Sequence, residues 1–275
     1  MCQVENLIFS STGGGPQINT VDRTPDRPMI ARTRKSAMFP YLWLELRRLV
    51  RDSSYVLVSV LLPVGMFLLF SSLGDEATNH DLVQLMVGMA GFGAVGITLN
   101  SGTGIADDRA RGWLRQLRLL PLGPAKVVVA RGLCAMALSL PPIVIVCVAG
   151  AFKGVDLSVA QWAGVAALLW IGIAPVALLG LGIGYLCAPQ QAQAIGLALF
   201  VGMSMIGGLW IEVSDFPGWL QVVSKITPVY SYAEIPRSVG WDRAPHALDI
   251  GALAAWTIAL MALALFAYRR TGRRA

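Results

Sequence analysis

The stretch "VVVARGLCAMALSLPPIVIVCVAGAF", residues 127–152, carries a single charge, Arg131, near its start. A helix of about 20 residues, rising 1.5 Å per residue, crosses the roughly 30 Å hydrocarbon core of a bilayer, so a run this long reads as a membrane span. Working outward, five more apolar runs occupy residues 56–73, 82–105, 162–186, 192–211 and 248–268. None holds Lys, Arg or Asp in its middle, where each would cost about 2.5–3.5 kcal/mol. Composition agrees: of 275 residues 55% are hydrophobic and 14% charged, with mean hydropathy +0.62. A soluble domain would alternate apolar and polar residues at helical or strand period instead. The sequence therefore predicts an all-α membrane protein with six transmembrane helices.

Charge distribution supplies the expected orientation. The net charge is +6, and 18 of the 22 Lys and Arg fall in the N-terminal segment, the stretch between runs two and three with Arg131, and the C-terminal "RRTGRRA". An even span count puts these on one side, which the positive-inside rule makes cytoplasmic. The expected location is the cell (plasma) membrane, with both termini cytoplasmic. Because the bases flank apolar runs, anionic lipid headgroups suit them better than nucleic acid does. Tyr55, Trp162, Tyr185, Trp210 and Tyr268 fall near the predicted span ends, where amphipathic rings suit the headgroup zone.

Residues 1–38 lack sustained apolar periodicity and are expected to be a flexible cytoplasmic tail preceding one domain, residues 39–275. The longest apolar piece there, "LIF", is too short for a signal-peptide core. Cys2, Cys134, Cys147 and Cys187 form no CxxC pair and read as small apolar residues.

Several apparent chemical signals dissolve in context. "GFGAVG", residues 91–96, matches a dinucleotide fingerprint, yet it lies inside the second run, where helical amides are already bonded. No GKS or GKT occurs, so a Walker A loop is absent, and His80 and His246 have no spaced metal-binding partner. No catalytic residue, metal site or cofactor is expected. Gly180 and Gly184 have GxxxG spacing, whose ordinary meaning is close helix packing. Pro63, Pro141, Pro142 and Pro175 read as kinks tolerated within spans.

Between runs two and three, "DDRARGWLRQLRLLPLGPAK", residues 107–126, gathers two acids and five bases. At helical period Asp107, Arg111, Arg115 and Arg118 share one face, and Trp113, Leu114, Leu117 and Leu120 another. Asp107 and Arg111 form an i,i+4 pair, and Pro121 and Pro124 stop the helix. A basic loop resting on lipid explains the bases; a short, sharply ended helix presenting Gly112 and Trp113 equally suits a knob received by another protein. Upstream, "YLWLELRRLVRD", residues 41–52, has Leu42, Leu46, Leu49 and Val50 along one stripe and Glu45 and Arg48 opposite. With Arg47, this is the pattern of an interfacial elbow helix feeding the first span.

This order, elbow, six spans, internal amphipathic helix and a long outer loop after span five, resembles the ABC type 2 transporter permeases over residues 38–275. The most specific matches are "DRARGWLRQLRLLPLGPAKVVVAR" and "FPGWLQVVSKITPVYSYAEIPRS". The family pattern in the first is met at Arg109, Gly112, Leu114, Leu117 and Pro121, while Ala110, Trp113 and Arg115 replace its usual Glu, Thr and Glu. The resemblance implies a coupling helix, carrying Arg109, Arg111, Gly112, Trp113, Leu114, Arg115 and Leu117, seated in a separate ATPase subunit. It implies no individual ion pair. For the second stretch it implies short re-entrant helices before span six, consistent with Pro217, Pro228 and Pro236 cutting it into pieces too short to cross.

On this resemblance the chain is a permease subunit, without its own ATPase, that pairs with itself or a sister permease to export a drug, antibiotic or lipid. Met66, Phe70, Asn100, Met203 and Met205 are candidate contacts along the cargo path, because they offer adaptable or polar walls among apolar spans. A polysaccharide exporter or assembly factor of the same family is the alternative. An ion-coupled secondary transporter fits less well, since no Asp or Glu lies in a span middle.

Overall fold

The computed structural model describes residues 53–73, 78–111 and 124–274, all within a compact unit spanning Met38–Ala275. The tail, the elbow residues Glu45, Arg47 and Arg48, and the coupling residues Gly112, Trp113, Leu114, Arg115 and Leu117 lie outside the described residues. The helices are α1 Ser53–Leu73, α2 Asn79–Thr103, α3 Ile105–Ala110, α4 Pro124–Leu138, α5 Leu140–Phe152, α6 Val159–Gly172, α7 Ala174–Leu186, α8 Pro189–Ile206, α9 Gly218–Ile226, α10 Pro228–Gly240 and α11 Ala247–Arg274. Among the described residues there is no strand.

Four helical stretches are long and apolar enough to cross a membrane: Asn79–Ala110, Val127–Phe152, Val159–Leu186 and Ala247–Thr271. Of the other two expected spans, 56–73 falls on α1, and 192–211 falls on α8, which already ends at Ile206. Gly207 and Gly208 stop α8; Gly208 adopts φ +74°, a left-handed conformation that a side chain would strain. The paired segments Val127–Phe152 and Val159–Leu186 are each divided near their prolines, at Ser139 and Ile173. Proline has no N–H to donate and its ring clashes with the carbonyl four residues earlier, so Pro141, Pro142 and Pro175 open new helical segments. Pro63 instead lies within α1.

The centre of the bundle is α2, packed by α1, α4, α5, α7, α8 and α10. Its sequence explains that place: apolar all round and studded with small residues, it has no face to give to solvent. "GFGAVG" lies in its interior. The α2–α7 contact is close: a Cβ on Gly102 would lie 2.5 Å from the Gly180 carbonyl carbon, and one on Gly184 would strike the Gly102 carbonyl. The GxxxG spacing thus does what its small residues permit. Capping boxes at Thr78 with Asp81 and at Ser158 with Gln161 start α2 and α6.

Chain termini of the helices collect at two ends. At one, Asn79 donates to the Asp156 carbonyl, Gln161 to Val239 and the Trp241 indole to His80. His80 also stacks on Trp241 with centroids 4.1 Å apart. The other end is where α2 runs on into α3. Tyr185 lies there buried, edge-on to Tyr268 at 5.3 Å, and not at a wetted boundary as its position in sequence suggests. Its backbone carbonyl carries the interactions described below.

After α8 the chain forms two short helices. Thr227 caps α10, and Pro228 opens it; Pro236 lies inside α10 without ending it, contrary to the expected break. A Cβ on Gly240 would meet Val83, and one on Gly91 would meet Tyr232, so α10 runs antiparallel along the first part of α2. The α9 helix instead leaves Trp219, Val222 and Ile226 exposed.

Candidate functional site

The α3 end concentrates the charged residues of the sequence-predicted motif. Asp107, expected to pair with Arg111, accepts a hydrogen bond from Gln193 of α8 at 3.1 Å. Asp108 pairs with Arg131 of α4 at 3.3 Å, both side chains largely shielded. Arg131 therefore sits opposite a carboxylate, and needs no excursion to the interface to satisfy its charge. Arg109 reaches α7, donating from Nη1 to the Tyr185 carbonyl and from Nη2 to the Cys187 carbonyl at 2.9 Å.

That last contact has a simple origin. The final carbonyls of a helix lack intrahelical donors and lie at the negative end of its dipole, so a guanidinium placed there meets both needs. Thr271 of α11 donates to the same Tyr185 carbonyl at 2.8 Å. Three consecutive residues of α3 thus tie it to α8, α4 and α7, and through the Tyr185 carbonyl to α11. Arg111, the last described residue before the undescribed stretch, is exposed.

Beside this cluster a cavity of about 240 Å³ opens between α1, α2 and α8. Asn100, Thr103, Gln193 and Ser59 supply its polar groups, and Leu62, Phe92, Leu197 and Phe200 its apolar wall. Gly93, Gly96 and Gly196 let its walls approach closely: added Cβ atoms would lie 3.0 Å from Pro63 Cγ, 3.0 Å from the Phe200 ring and 2.9 Å from Thr103 Cγ2. Phe92 stacks on Phe200 at 4.7 Å and meets Trp210 edge-on at 5.2 Å.

Of the five sequence-predicted path residues, Asn100 lines this cavity. Phe70 lines a second, larger cavity at the opposite end. Met66 and Met203 are half-buried and Met205 is exposed, and none of the three lines either cavity. Gln193 and Phe200 were not singled out from sequence; the polar run "PQQAQA" beginning at Pro189, just ahead of an apolar segment, was the available signal. Arg237, in the stretch expected to be re-entrant before span six, is 2% exposed and donates from Nη2 to the Gly208 carbonyl at 2.6 Å. A lone Arg within an apolar short helix was its signal. Among the described residues, no group of His, Cys, Asp or Glu could hold a metal ion.

A family model described as ABC-2 type transporter matches residues 38–239. A protein of Bacillus subtilis (strain 168) named "Putative transport permease YvfS" is 22% identical over 232 residues, covering 82% of this chain and 94% of that protein. With most of its length matched by the family model and several helices apolar enough to cross a bilayer, the chain is a multi-pass membrane protein that belongs to the ABC-2 type transporter family.

Proposed function

We propose that the chain is the membrane-spanning permease subunit of an ATP-binding-cassette exporter, moving a hydrophobic or amphiphilic compound with energy from a separate ATPase subunit. The observation that carries this is the linkage at α3. Asp107, Asp108 and Arg109 fasten it to α8, α4 and α7, and it leads directly into the 112–123 stretch. A partner gripping that stretch would move four elements of the bundle together.

The remaining parts follow from this reading. The stretch carrying Arg109, Arg111, Gly112, Trp113, Leu114, Arg115 and Leu117 serves as the coupling helix toward the ATPase, and residues 41–52, with Glu45, Arg47 and Arg48, serve as the elbow. Helices α1 and α8 complete six spans, both termini face the cytoplasm, and α9 with α10 is re-entrant from the outer side. The antiparallel run of α10 along α2 supports that last point. Two permeases, identical or sister chains, pair around the cargo path. The α1–α2–α8 cavity, apolar with a few amides and hydroxyls, suits an amphiphile such as a drug, antibiotic or lipid better than a strongly charged solute.

ATP drives transport only if the ATPase binds the two permease states with different strength, since equal binding shifts no equilibrium. The test is affinity purification of the tagged full chain from its host, followed by ATP-turnover measurement. The expected result is a co-purifying ATPase whose turnover changes with cargo; recovery of the chain with no nucleotide-hydrolysing partner contradicts the proposal.

A further inference from the structure

The second cavity, about 580 Å³, lies at the end opposite α3, between α1, the start of α2, residues 209–215 and α10. Three buried polar atoms on its lining residues lack a hydrogen-bond partner: Arg237 Nε, Trp210 Nε1 and Gln84 Oε1. Two are donors and one an acceptor. Among the described residues no carboxylate stands within ion-pair distance of Arg237. Glu234 on its own helix and Glu212 on the facing turn attract it from farther away.

The fold makes room for this cation at specific positions. Gly208, with φ +74°, turns its carbonyl toward Nη2, and a Cβ on Gly88 would meet the Leu209 carbonyl and approach Nη2 to 3.4 Å. A buried guanidinium with one neutral acceptor is strongly under-compensated unless a ligand supplies negative charge. Nearer the mouth the sign reverses: Glu212 and Asp215 line the cavity and are exposed. Asp81 also lines it but is held by Thr78 in the capping box. Phe70, Leu82, Leu85 and Ile211 supply apolar wall.

We infer that this cavity binds a zwitterionic phospholipid headgroup of the phosphoethanolamine type. Its phosphate lies at the Arg237 and Trp210 end of the cavity, where a small turn of both side chains brings the enclosed Nε and Nε1 donors to its oxygens, its ammonium lies against Glu212 and Asp215, and its hydrocarbon follows Phe70 and Ile211. A purely anionic headgroup would satisfy Arg237 and then face the two mouth carboxylates. The site is separate from the α1–α2–α8 cavity and stands whether or not the chain exports anything.

The test is titration of the full-length detergent-solubilised chain by native mass spectrometry with phosphatidylethanolamine and with phosphatidylglycerol. The wild type should bind the first at least tenfold more tightly. Glu212→Gln should narrow that preference several-fold, and Trp210→Phe and Arg237→Gln should weaken binding. If Arg237→Gln does not fold, the two milder variants decide. Equal binding of both lipids, or phosphatidylethanolamine affinity unchanged in both Glu212→Gln and Trp210→Phe, overturns the inference. Competition by soluble glycerophosphoethanolamine would show that a free zwitterion suffices; failure to compete, with the lipid preference intact, would assign the bilayer as the source.

Discussion

Replacing Gly102 by Ala adds one methyl group where the backbones of α2 and α7 meet. The new Cβ would lie 2.5 Å from the Gly180 carbonyl carbon and 2.7 Å from both Gly180 Cα and Leu181 N. All three are backbone atoms, so no side chain can swing aside, and α2 and α7 must separate by about 1 Å to restore ordinary contact. Overpacking of this kind costs about 1–3 kcal/mol, which for a chain of this size lowers the melting temperature by roughly 2–10 °C. Gly202 in α8 is the control, because a Cβ there meets nothing within 4 Å. Ala at that position should stabilise by about 0.5–1 kcal/mol through backbone entropy. Thermal unfolding of both variants in one detergent, followed by size-exclusion fluorescence, separates them. The packing account is refuted if Gly102→Ala melts at or above the wild type. Since α3 continues α2, the same variant should also impair ATP-driven export under conditions where it remains folded.

Three further outcomes are expected. Asp108→Ala should destabilise the wild type by about 1–3 kcal/mol more than it destabilises an Arg131→Met background, because only in the former does it take a facing carboxylate from a shielded cation; equal losses in a double-mutant cycle would show that the ion pair contributes nothing. Gly112→Pro or Trp113→Ala should leave membrane insertion and abundance intact while abolishing export, and normal export with normal ATPase recruitment in both variants would exclude the docking role. Leu197→Trp should fill the α1–α2–α8 cavity, weakening cargo binding at least tenfold with little change in melting temperature; unchanged cargo affinity would move the site elsewhere.

Sequence reading succeeded where one physical requirement dominates. Long uncharged runs leave the chain few options besides apolar helices, and the Gly180/Gly184 spacing fixed a close contact although its partner, Gly102, was not evident. It was less informative where a contact joins distant segments. Arg109 follows a family pattern in sequence, but only the fold brings the end of α7 to it, and Asp108 and Arg131 are separated by an undescribed stretch. Arg237 shows the same limit: nothing local in the sequence shows what encloses it, and it is buried because α10 packs along α2 and Gly88 leaves space. Met66, Met203 and Met205 were chosen for adaptable chemistry, whereas the cavity is lined where α1, α2 and α8 meet, by residues whose spacing in sequence does not reveal that meeting.

Cargo movement by this chain is expected only when an ATPase works on the α3 end. The most direct measurement is transport of a fluorescent amphiphile in proteoliposomes containing the purified chain alone or together with its co-purifying ATPase. The account predicts transport only in the second case, dependent on hydrolysable ATP and lost in Trp113→Ala. Sustained transport by the chain alone, with or without an ion gradient, would contradict it.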